Sequence, residues 1–266
     1  MNDRTPAIQT ENLTRRFGQL TAVDELNLTV PSGVIFGFLG PNGAGKTTTI
    51  NMLIGLLPPT AGTAKVGGFD IREETLEVKR HIGVMPEGLS LYERLTASEQ
   101  IELVGRLHGL SHGEIEQRIP PLLDILELTD SADKMILDYS HGMRRKTAMA
   151  CALVSAPDIL FLDEPFEGID PISTRAVKEI LRDMVDQRGT TIFFSTHVME
   201  LAERFCDQVG IINKGQLAGI GSIPELRQRA GLPQEAPLED VFIRTVGAEA
   251  EDDILLDWLT GKERTP

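Results

Sequence analysis

A stretch of eight residues near the N-terminus has the residue types of a phosphate-binding loop. It reads Gly40-Pro41-Asn42-Gly43-Ala44-Gly45-Lys46-Thr47. This stretch fits the pattern G-x-x-x-x-G-K-[ST] at every defined position. Backbone N–H groups of such a loop surround a polyphosphate, the lysine adds positive charge at the β- and γ-phosphates, and the threonine hydroxyl ligates Mg²⁺. The pattern predicts that this loop, with the neighbouring Thr48, binds a nucleotide.

The flanking segments distinguish this interpretation from a glycine-rich turn that matches by chance. Residues 34–39 form a short apolar run, which is typical of a strand covered on both faces. Beyond the loop, apolar residues recur at helical spacing and predict a helix from about Lys46. The N-terminus of a helix carries partial positive charge, so the flanks favour phosphate binding.

Hydrolysis of a nucleotide also needs a carboxylate for the metal and a group that activates water. Asp163 and Glu164 directly follow an apolar run, at the edge of an α/β sheet where ligands bind. We predict that Asp163 binds Mg²⁺ and that Glu164 activates water; the alternative is two acids that only end a strand. His197 follows the next apolar run and is placed to contact the γ-phosphate, but its spacing fits a structural histidine equally well.

The order of apolar runs predicts an α/β fold. Residues 159–162 and 192–194 have the length of buried strands, and an amphipathic helical repeat separates them. Strand, helix and strand in this order predict a parallel sheet with crossover helices. Two β-type patches, residues 8–13 and 26–30, precede this core. From about 97 to 128 the repeat is helical, which predicts a helical lobe inserted into the core.

The composition argues against several other classes of protein. The chain has 266 residues, a formal net charge of -14 and a pI of about 4.8. Sequence-independent binding to nucleic acid and adhesion to anionic lipid both need a basic surface, so we expect neither. No apolar stretch approaches the ~18 residues of a membrane span, and no signal pattern precedes Cys151 or Cys206. We therefore expect a cytoplasmic protein with reduced thiols.

Four further motifs accompany the phosphate loop. They are Tyr139-Ser140-His141-Gly142-Met143, residues 159–165, Gly168-Ile169-Asp170-Pro171 and Ser195-Thr196-His197. Their order and spacing across nearly the whole chain resemble those of the ATP-binding cassette (ABC) ATPases. The first motif is the most diagnostic, because it matches the family signature Leu-Ser-Gly-Gly-Gln at the serine and at the second glycine. His141 and Met143 depart from that signature.

The resemblance implies an α/β P-loop NTPase fold of ABC type, with a mainly parallel sheet core, an N-terminal antiparallel β subdomain and an inserted helical lobe. We accordingly expect an ATPase domain over residues 1–230, in which the lobe covers 88–155 and the core covers 1–87 and 156–230. Residues 231–266 would form a C-terminal helical extension with an acidic tail. The resemblance also implies a head-to-tail dimer, of two such chains or of one with a similar ATPase subunit, that encloses two ATP molecules.

Specific residues acquire roles from the same resemblance. Each ATP would lie between the phosphate loop of one subunit and Ser140 and Gly142 of the other, and Asp170 would communicate across the interface. Phe17 would stack on adenine; an ordinary buried phenylalanine is the alternative. Glu87 stands where the family usually has a glutamine that contacts Mg²⁺ and water, so Glu87 is assigned to the metal and the nucleotide. Its additional negative charge leaves open how it acts there.

The motifs are most similar to those of ATPase subunits of bacterial exporters of drugs, lipids or polysaccharides, in which the membrane-spanning half is usually a separate polypeptide. The resemblance thus implies a subunit that binds and hydrolyses ATP and energises a separate transmembrane permease, most simply an exporter, at the inner face of the cell membrane. The cargo stays open. The alternative is a soluble ABC ATPase of DNA repair or translation, but the chain shows neither two cassettes nor a long coiled-coil insertion.

Three other groups of residues have simpler expected roles. The basic cluster Arg144-Arg145-Lys146 is expected on the solvated face of the helix that follows the signature. His108 and His112 are spaced as in some zinc sites, but Gly109 predicts a helix break between them. An apolar stripe around Trp258 could dock on a partner or fold back on the subunit.

Overall fold

The computed structural model of the protein describes residues 6–247, in which eleven strands form two sheets. The strands are β1 (Ile8–Phe17), β2 (Leu20–Leu26), β3 (Thr29–Val30), β4 (Ile35–Leu39), β5 (Ala61–Val66), β6 (Phe69–Asp70), β7 (Ile82–Met85), β8 (Ile159–Asp163), β9 (Thr191–Thr196), β10 (Gln208–Asn213) and β11 (Gln216–Gly221). The predicted acidic tail and the stripe around Trp258 lie outside the described residues.

The smaller sheet is the expected N-terminal antiparallel subdomain. Its strand order is β2-β1-β5-β6, and β3 pairs with β1. Along β1 the side chains of Ile8 and Thr10 are buried while those of Gln9 and Glu11 are exposed. This alternation is the pattern of an antiparallel sheet that packs one face on the core and leaves the other in solvent.

The larger sheet positions the site. Its order is β11-β10-β4-β9-β8-β7, and the strands are parallel except for β11, which forms a hairpin with β10. Strands β4, β8 and β9 are buried over their whole length, as their continuous apolar runs predict. In the register Leu39 lies opposite Thr196, and Asp163 lies opposite Ser195. The loops that follow these three strands therefore emerge side by side at one edge of the sheet.

Nine α-helices accompany the sheets within the described range. They are α1 (Lys46–Leu53), α2 (Thr75–His81), α3 (Ala97–Leu107), α4 (His112–Ile125), α5 (His141–Leu153), α6 (Pro171–Arg188), α7 (Met199–Phe205), α8 (Ile223–Ala230) and α9 (Leu238–Val246). Helix α3 packs on α4 and α5, and together these helices form the expected inserted lobe. Capping boxes at Thr96 and Ser111 fix the starts of α3 and α4. The boundaries assigned to the domains stay a prediction.

The expected exposure of the basic cluster is wrong for two of its three residues. Arg145 and Lys146 are 2% and 8% exposed, and only Arg144 reaches partly into solvent. Helix α5 lies between α3 and β7, and all its residues from Arg145 to Ala150 are buried. A helix that is covered on several sides has no broad solvated face, so a run of basic residues on it does not indicate exposure.

Three smaller expectations concern thiols, a histidine pair and membrane spans. Cys151 and Cys206 are free and partly buried, and burial raises the pKa of the Cys151 thiol to about 12, so it stays protonated at neutral pH. The expected helix break is present, since α3 ends at Leu107 and α4 begins at His112. No helix in the described part of the chain is long and apolar enough to cross a bilayer.

Candidate nucleotide-binding and hydrolysis site

The phosphate loop connects β4 to α1 and is shaped by its glycines. A Cβ on Gly40 would lie 2.4 Å from the carbonyl oxygen of Ile212, and one on Gly45 would lie 2.5 Å from that of Ala22. No real side chain fits at such distances, so the loop passes close to neighbouring backbone at both ends. A Cβ on Gly43, where φ is +80°, would meet nothing within 4 Å. The middle of the loop is therefore open, as a phosphate that binds backbone N–H groups requires.

Lys46 begins α1, and its side chain folds back over the loop. The ammonium donates hydrogen bonds to the carbonyl oxygens of Gly40 at 2.8 Å and Pro41 at 3.3 Å. The same Nζ lies 3.5 Å from Oε1 of Glu164. Only 6% of Lys46 is exposed. A buried ammonium beside the N-terminus of a helix places positive charge where a phosphate group can bind.

Residues that come after three neighbouring strands, β4, β8 and β9, lie close to one another around the carboxylate of Glu164. Glu164 directly follows β8 and is buried. Its Oε1 lies 3.0 Å from Nδ1 of His197 and, on another side, near the ammonium of Lys46. Its backbone N–H donates to Oγ of Ser195 at 3.2 Å, and the Ser195 hydroxyl donates in turn to the buried carboxylate of Asp163. The structure thus brings all the predicted catalytic residues together. A carboxylate held in this way can accept a proton from water.

A groove of about 330 Å³ lies in front of the phosphate loop. It is lined by loop residues between 42 and 48, by Glu87 and Glu164, and by side chains of the antiparallel sheet that include Phe17 and Leu20. Phe17 is 45% exposed, which argues against an ordinary buried phenylalanine. The guanidinium of Arg15 lies 4.5 Å from the centre of its ring. An aromatic ring at the rim of a phosphate-binding groove offers a surface on which a nucleotide base can stack.

The signature residues lie apart from this groove. Ser140 caps the N-terminus of α5, and Asp170 caps that of α6; each accepts a hydrogen bond from a backbone N–H of its helix. The two turns touch, since a Cβ on Gly142 would lie 3.0 Å from the carbonyl oxygen of Gly168. Ser140, Gly142 and Asp170 are not among the residues that line the groove. A single chain therefore does not bring its signature to its own phosphate loop.

The family model of the ABC transporter matches residues 23–167, which is more than half of the chain. This chain belongs to the ABC transporter family. The matched ABC region includes the phosphate loop, Glu87, the signature and Glu164.

Relatives within the ABC family are ATP-binding proteins of drug resistance. The linearmycin resistance ATP-binding protein LnrL of Bacillus subtilis (strain 168) is 39% identical over 224 residues, which cover 84% of this chain and 72% of LnrL. The daunorubicin/doxorubicin resistance ATP-binding protein DrrA of Streptomyces peucetius is 41% identical over 227 residues, which cover 85% of this chain and 68% of DrrA. The chain is accordingly an ABC transporter ATPase subunit.

Solved ABC structures share the fold. The structure of an ATP binding subunit of an ABC transporter matches with a TM-score of 0.85 and 30% identity, covering 91% of this chain and 100% of that one. The dimeric structure of MJ0796, a bacterial ABC transporter cassette, matches with a TM-score of 0.75 and 25% identity, covering 81% of this chain and 98% of that one. The predicted P-loop NTPase fold of ABC type is confirmed.

The sequence pattern did not indicate two arginines that the structure places at this ABC site. Arg15 covers the ring of Phe17, and Arg145 donates a hydrogen bond to the carbonyl oxygen of Glu164 at 3.2 Å. The sequence does contain a signal that could have placed Arg15 beside Phe17. The two residues are two positions apart on one strand, and such residues share one face of the sheet. No local signal exists for Arg145, which follows another arginine and precedes a lysine in a run that is typical of a solvated surface.

Proposed function

We propose that this chain binds and hydrolyses Mg²⁺-ATP as one half of a dimer and energises export through a separate transmembrane permease. The catalytic residues in this proposal are Glu164, His197 and Lys46. The observation that carries it is that Lys46, which begins α1, and His197, which follows β9, approach the same carboxylate oxygen of Glu164. This is the arrangement that hydrolysis of a phosphate anhydride by water needs: positive charge for the phosphates and a carboxylate that accepts the proton of water.

Each catalytic side chain has a defined task in this scheme. Glu164 accepts a proton from the water molecule that attacks the γ-phosphate. The products are ADP and inorganic phosphate. His197 donates a hydrogen bond from Nδ1 to the ionised carboxylate of Glu164 and orients it. Lys46 exchanges its bonds to the carbonyl oxygens of Gly40 and Pro41 for bonds to phosphate oxygens, so that no buried donor loses its partner.

The donor set next to the phosphate loop suits magnesium. The hydroxyl of Thr47 donates to Oε2 of Glu87 at 3.3 Å, and the carboxylate of Asp163 is buried nearby at the end of β8. The described residues contain no cluster of three or more His, Cys, Asp or Glu side chains that could hold a metal alone. Mg²⁺ is usually held by one or two protein oxygens together with phosphates and water. Thr47, Glu87 and Asp163 would hold Mg²⁺, which would neutralise charge on the phosphates.

The position of the signature supports a dimer. Ser140 and Gly142 line no part of the groove in their own chain, although α5 presents its positive N-terminus beside them. A second subunit in head-to-tail orientation, identical or similar, would bring its signature to the γ-phosphate and its Asp170 to the interface. The MJ0796 cassette forms a dimer.

A second, larger groove supports docking of the permease. Its volume is about 630 Å³, and it lies where α2 and β7 meet α3 and α5. The exposed side chains of Leu56, Leu76 and Leu107 line it. Such a cluster of exposed leucines favours burial against a partner. The groove reaches Pro86, so a permease segment seated there would touch the residue next to Glu87 and could transmit motion to the nucleotide.

The relatives favour export over the soluble alternative. LnrL and DrrA are both named as resistance ATP-binding proteins, which fits removal of toxic compounds from the cell. We propose the inner face of the cell membrane as the location, through the permease. Purification of the tagged chain from membranes in mild detergent tests this. A polytopic membrane protein should accompany the chain; ribosomes or DNA in its place would contradict the proposal.

Replacement of Leu107 by aspartate is expected to weaken the association with the permease at least about tenfold, because a carboxylate cannot be buried unpaired in an apolar groove. The ATPase activity of the isolated subunit should not change, since Leu107 does not line the groove of the phosphate loop. Co-purification from membranes measures the effect. Ile243→Asp, at an exposed apolar position on α9, is the matched control. Equal co-purification of both variants would exclude the groove as the docking site.

Replacement of Phe17 by alanine is expected to weaken ATP binding by about 5-fold to 10²-fold, which is the usual contribution of stacking a base on an aromatic ring. Affinity for inorganic tripolyphosphate should stay unchanged, because the ring contacts the base alone. Calorimetric titration with both ligands separates the two effects. Tyr92→Ala, at an exposed tyrosine, is the control. An equal loss of affinity for tripolyphosphate would contradict the role of Phe17 in base stacking.

A further inference from the structure

The side chain of Arg145, from the second turn of α5, contacts the backbone at Glu164. Its Nη1 donates to the carbonyl oxygen of Glu164 at 3.2 Å and to that of Glu167 at 3.0 Å. Its Nη2 lies 3.4 Å from the carboxylate of Glu167. These contacts join the helix that carries the signature to the segment that carries the water-activating glutamate.

Packing alone does not account for an arginine at this position. Removal of a guanidinium from water is costly unless hydrogen bonds compensate for it. The Nε of Arg145 has no hydrogen-bond partner within the described residues. The carboxylate of Glu167 is 61% exposed, so its ion pair contributes little. The bonds to the two carbonyl oxygens are therefore the main compensation, and a long apolar side chain would fill the space without the cost.

The backbone that Arg145 holds is strained. Glu164 has a φ of +49°, a left-handed conformation that non-glycine residues rarely adopt. Such a residue persists only where its surroundings fix it. Two bonds do so here: the N–H of Glu164 donates to Ser195, and its carbonyl oxygen accepts from Arg145. We infer that Arg145 is a positioning residue, whose hydrogen bond to the Glu164 carbonyl keeps the Glu164 carboxylate between His197 and Lys46. This inference rests on the proposed ATP hydrolysis.

The next residue on α5, Lys146, binds the far end of the segment from Glu164 to Asp170. Lys146 places its Nζ 3.0 Å from Oδ2 of Asp170. Hydrogen bonds from Ser173, together with the one from Lys146, hold the pKa of Asp170 well below its ordinary value, so the carboxylate stays charged. Helix α5 thus holds the chain between Glu164 and Asp170 at both ends.

The test compares three variants of the full chain. Arg145→Met keeps the length of the side chain and loses every donor; its kcat should fall at least about tenfold, because small displacements of a catalytic group are costly. KM for ATP and the affinity for ADP should stay within about twofold of wild type, since the phosphate loop is untouched. Arg145→Lys keeps a single donor nitrogen in place of the guanidinium and should give an intermediate kcat. Arg175→Met, on the exposed surface of α6, should match wild type.

A double variant identifies the route of the effect. If Arg145 acts through Glu164, the residual rate of Glu164→Gln should not fall further when Arg145→Met is added. The inference would be overturned if the rate of the double variant fell by the product of the two single-variant decreases. A folded Arg145→Met enzyme with wild-type kcat would also overturn it, as would equal changes in kcat and ADP affinity. If Arg145→Met fails to fold, wild-type kcat in Arg145→Lys would overturn it. Wild-type turnover in Glu164→Gln alone would instead refute the proposed function.

Discussion

Replacement of Glu164 by glutamine is expected to lower ATP turnover by about 10²-fold or more, the usual contribution of a general base. The amide keeps the size and one oxygen of the side chain but cannot accept a proton from water. ATP affinity should be retained, because Lys46 and the backbone of the phosphate loop, which would bind the phosphates, are unchanged in this variant. Single-turnover hydrolysis and calorimetric titration of ATP measure the two quantities separately.

Glu179→Gln is the matched control for this variant. Glu179 lies on the exposed side of α6, where its carboxylate pairs with Arg175, and its replacement should leave turnover at the wild-type value. Wild-type steady-state hydrolysis in Glu164→Gln would remove Glu164 from the role of general base. Loss of ATP binding together with turnover would show that Glu164 holds the nucleotide rather than the water.

Replacement of Lys46 by alanine is expected to weaken ATP binding by about 10-fold to 10²-fold, the range for hydrogen bonds to charged groups. The buried ammonium supplies positive charge at the phosphate loop, and among residues 6–247 no other lysine lines that groove. Calorimetric titration with ATP and Mg²⁺ measures the change, and thermal unfolding shows whether the variant is folded.

Lys65→Ala controls for the loss of a positive charge, because Lys65 lies exposed on β5, in the antiparallel sheet. It should bind ATP as the wild type does. Unchanged ATP affinity in a folded Lys46→Ala protein would contradict the phosphate-loop interpretation. Equal weakening in both variants would show an effect of net charge rather than of the loop.

The parallel core was predictable because each of its elements carries a local signal. Apolar runs at 34–39 and 159–162 correspond to β4 and β8, and the helical repeat beyond the loop corresponds to α1. The phosphate loop, Asp163 and Glu164 lie at the ends of such runs, and parallel strands bring their carboxyl ends to one edge. Local pattern and topology thus predict that Lys46, Glu164 and His197 lie at the same edge of the sheet.

Other features depend on contacts between distant parts of the chain. The patches at 8–13 and 26–30 did not reveal that β1 continues to Phe17 and pairs with β2, because polar residues interrupt the apolar pattern there. The burial of Arg145 and Lys146 depends on carbonyl and carboxylate oxygens 19 or more residues away. The sequence of α5 alone contains no trace of these partners. A run of basic residues therefore does not indicate exposure where distant oxygens accept hydrogen bonds from its side chains.

The roles of Ser140, Gly142 and Asp170 were implied by resemblance to the ABC ATPases, and one chain cannot test them, since these residues lie away from its own groove. Their sequence spacing from the phosphate loop gives no distance across a dimer. The local geometry adds a physical reason for the assignment: Ser140 caps a helix whose N-terminus favours a phosphate.

The dimer and its two enclosed nucleotides can be seen in a structure of the Glu164→Gln variant with Mg²⁺ and ATP. Two subunits are expected to enclose two ATP molecules. Ser140 Oγ and the Gly142 N–H should lie about 3 Å from the γ-phosphate of the ATP that the phosphate loop of the other subunit holds. ATP enclosed by a single chain, or a dimer in which Ser140 lies far from every γ-phosphate, would contradict the account.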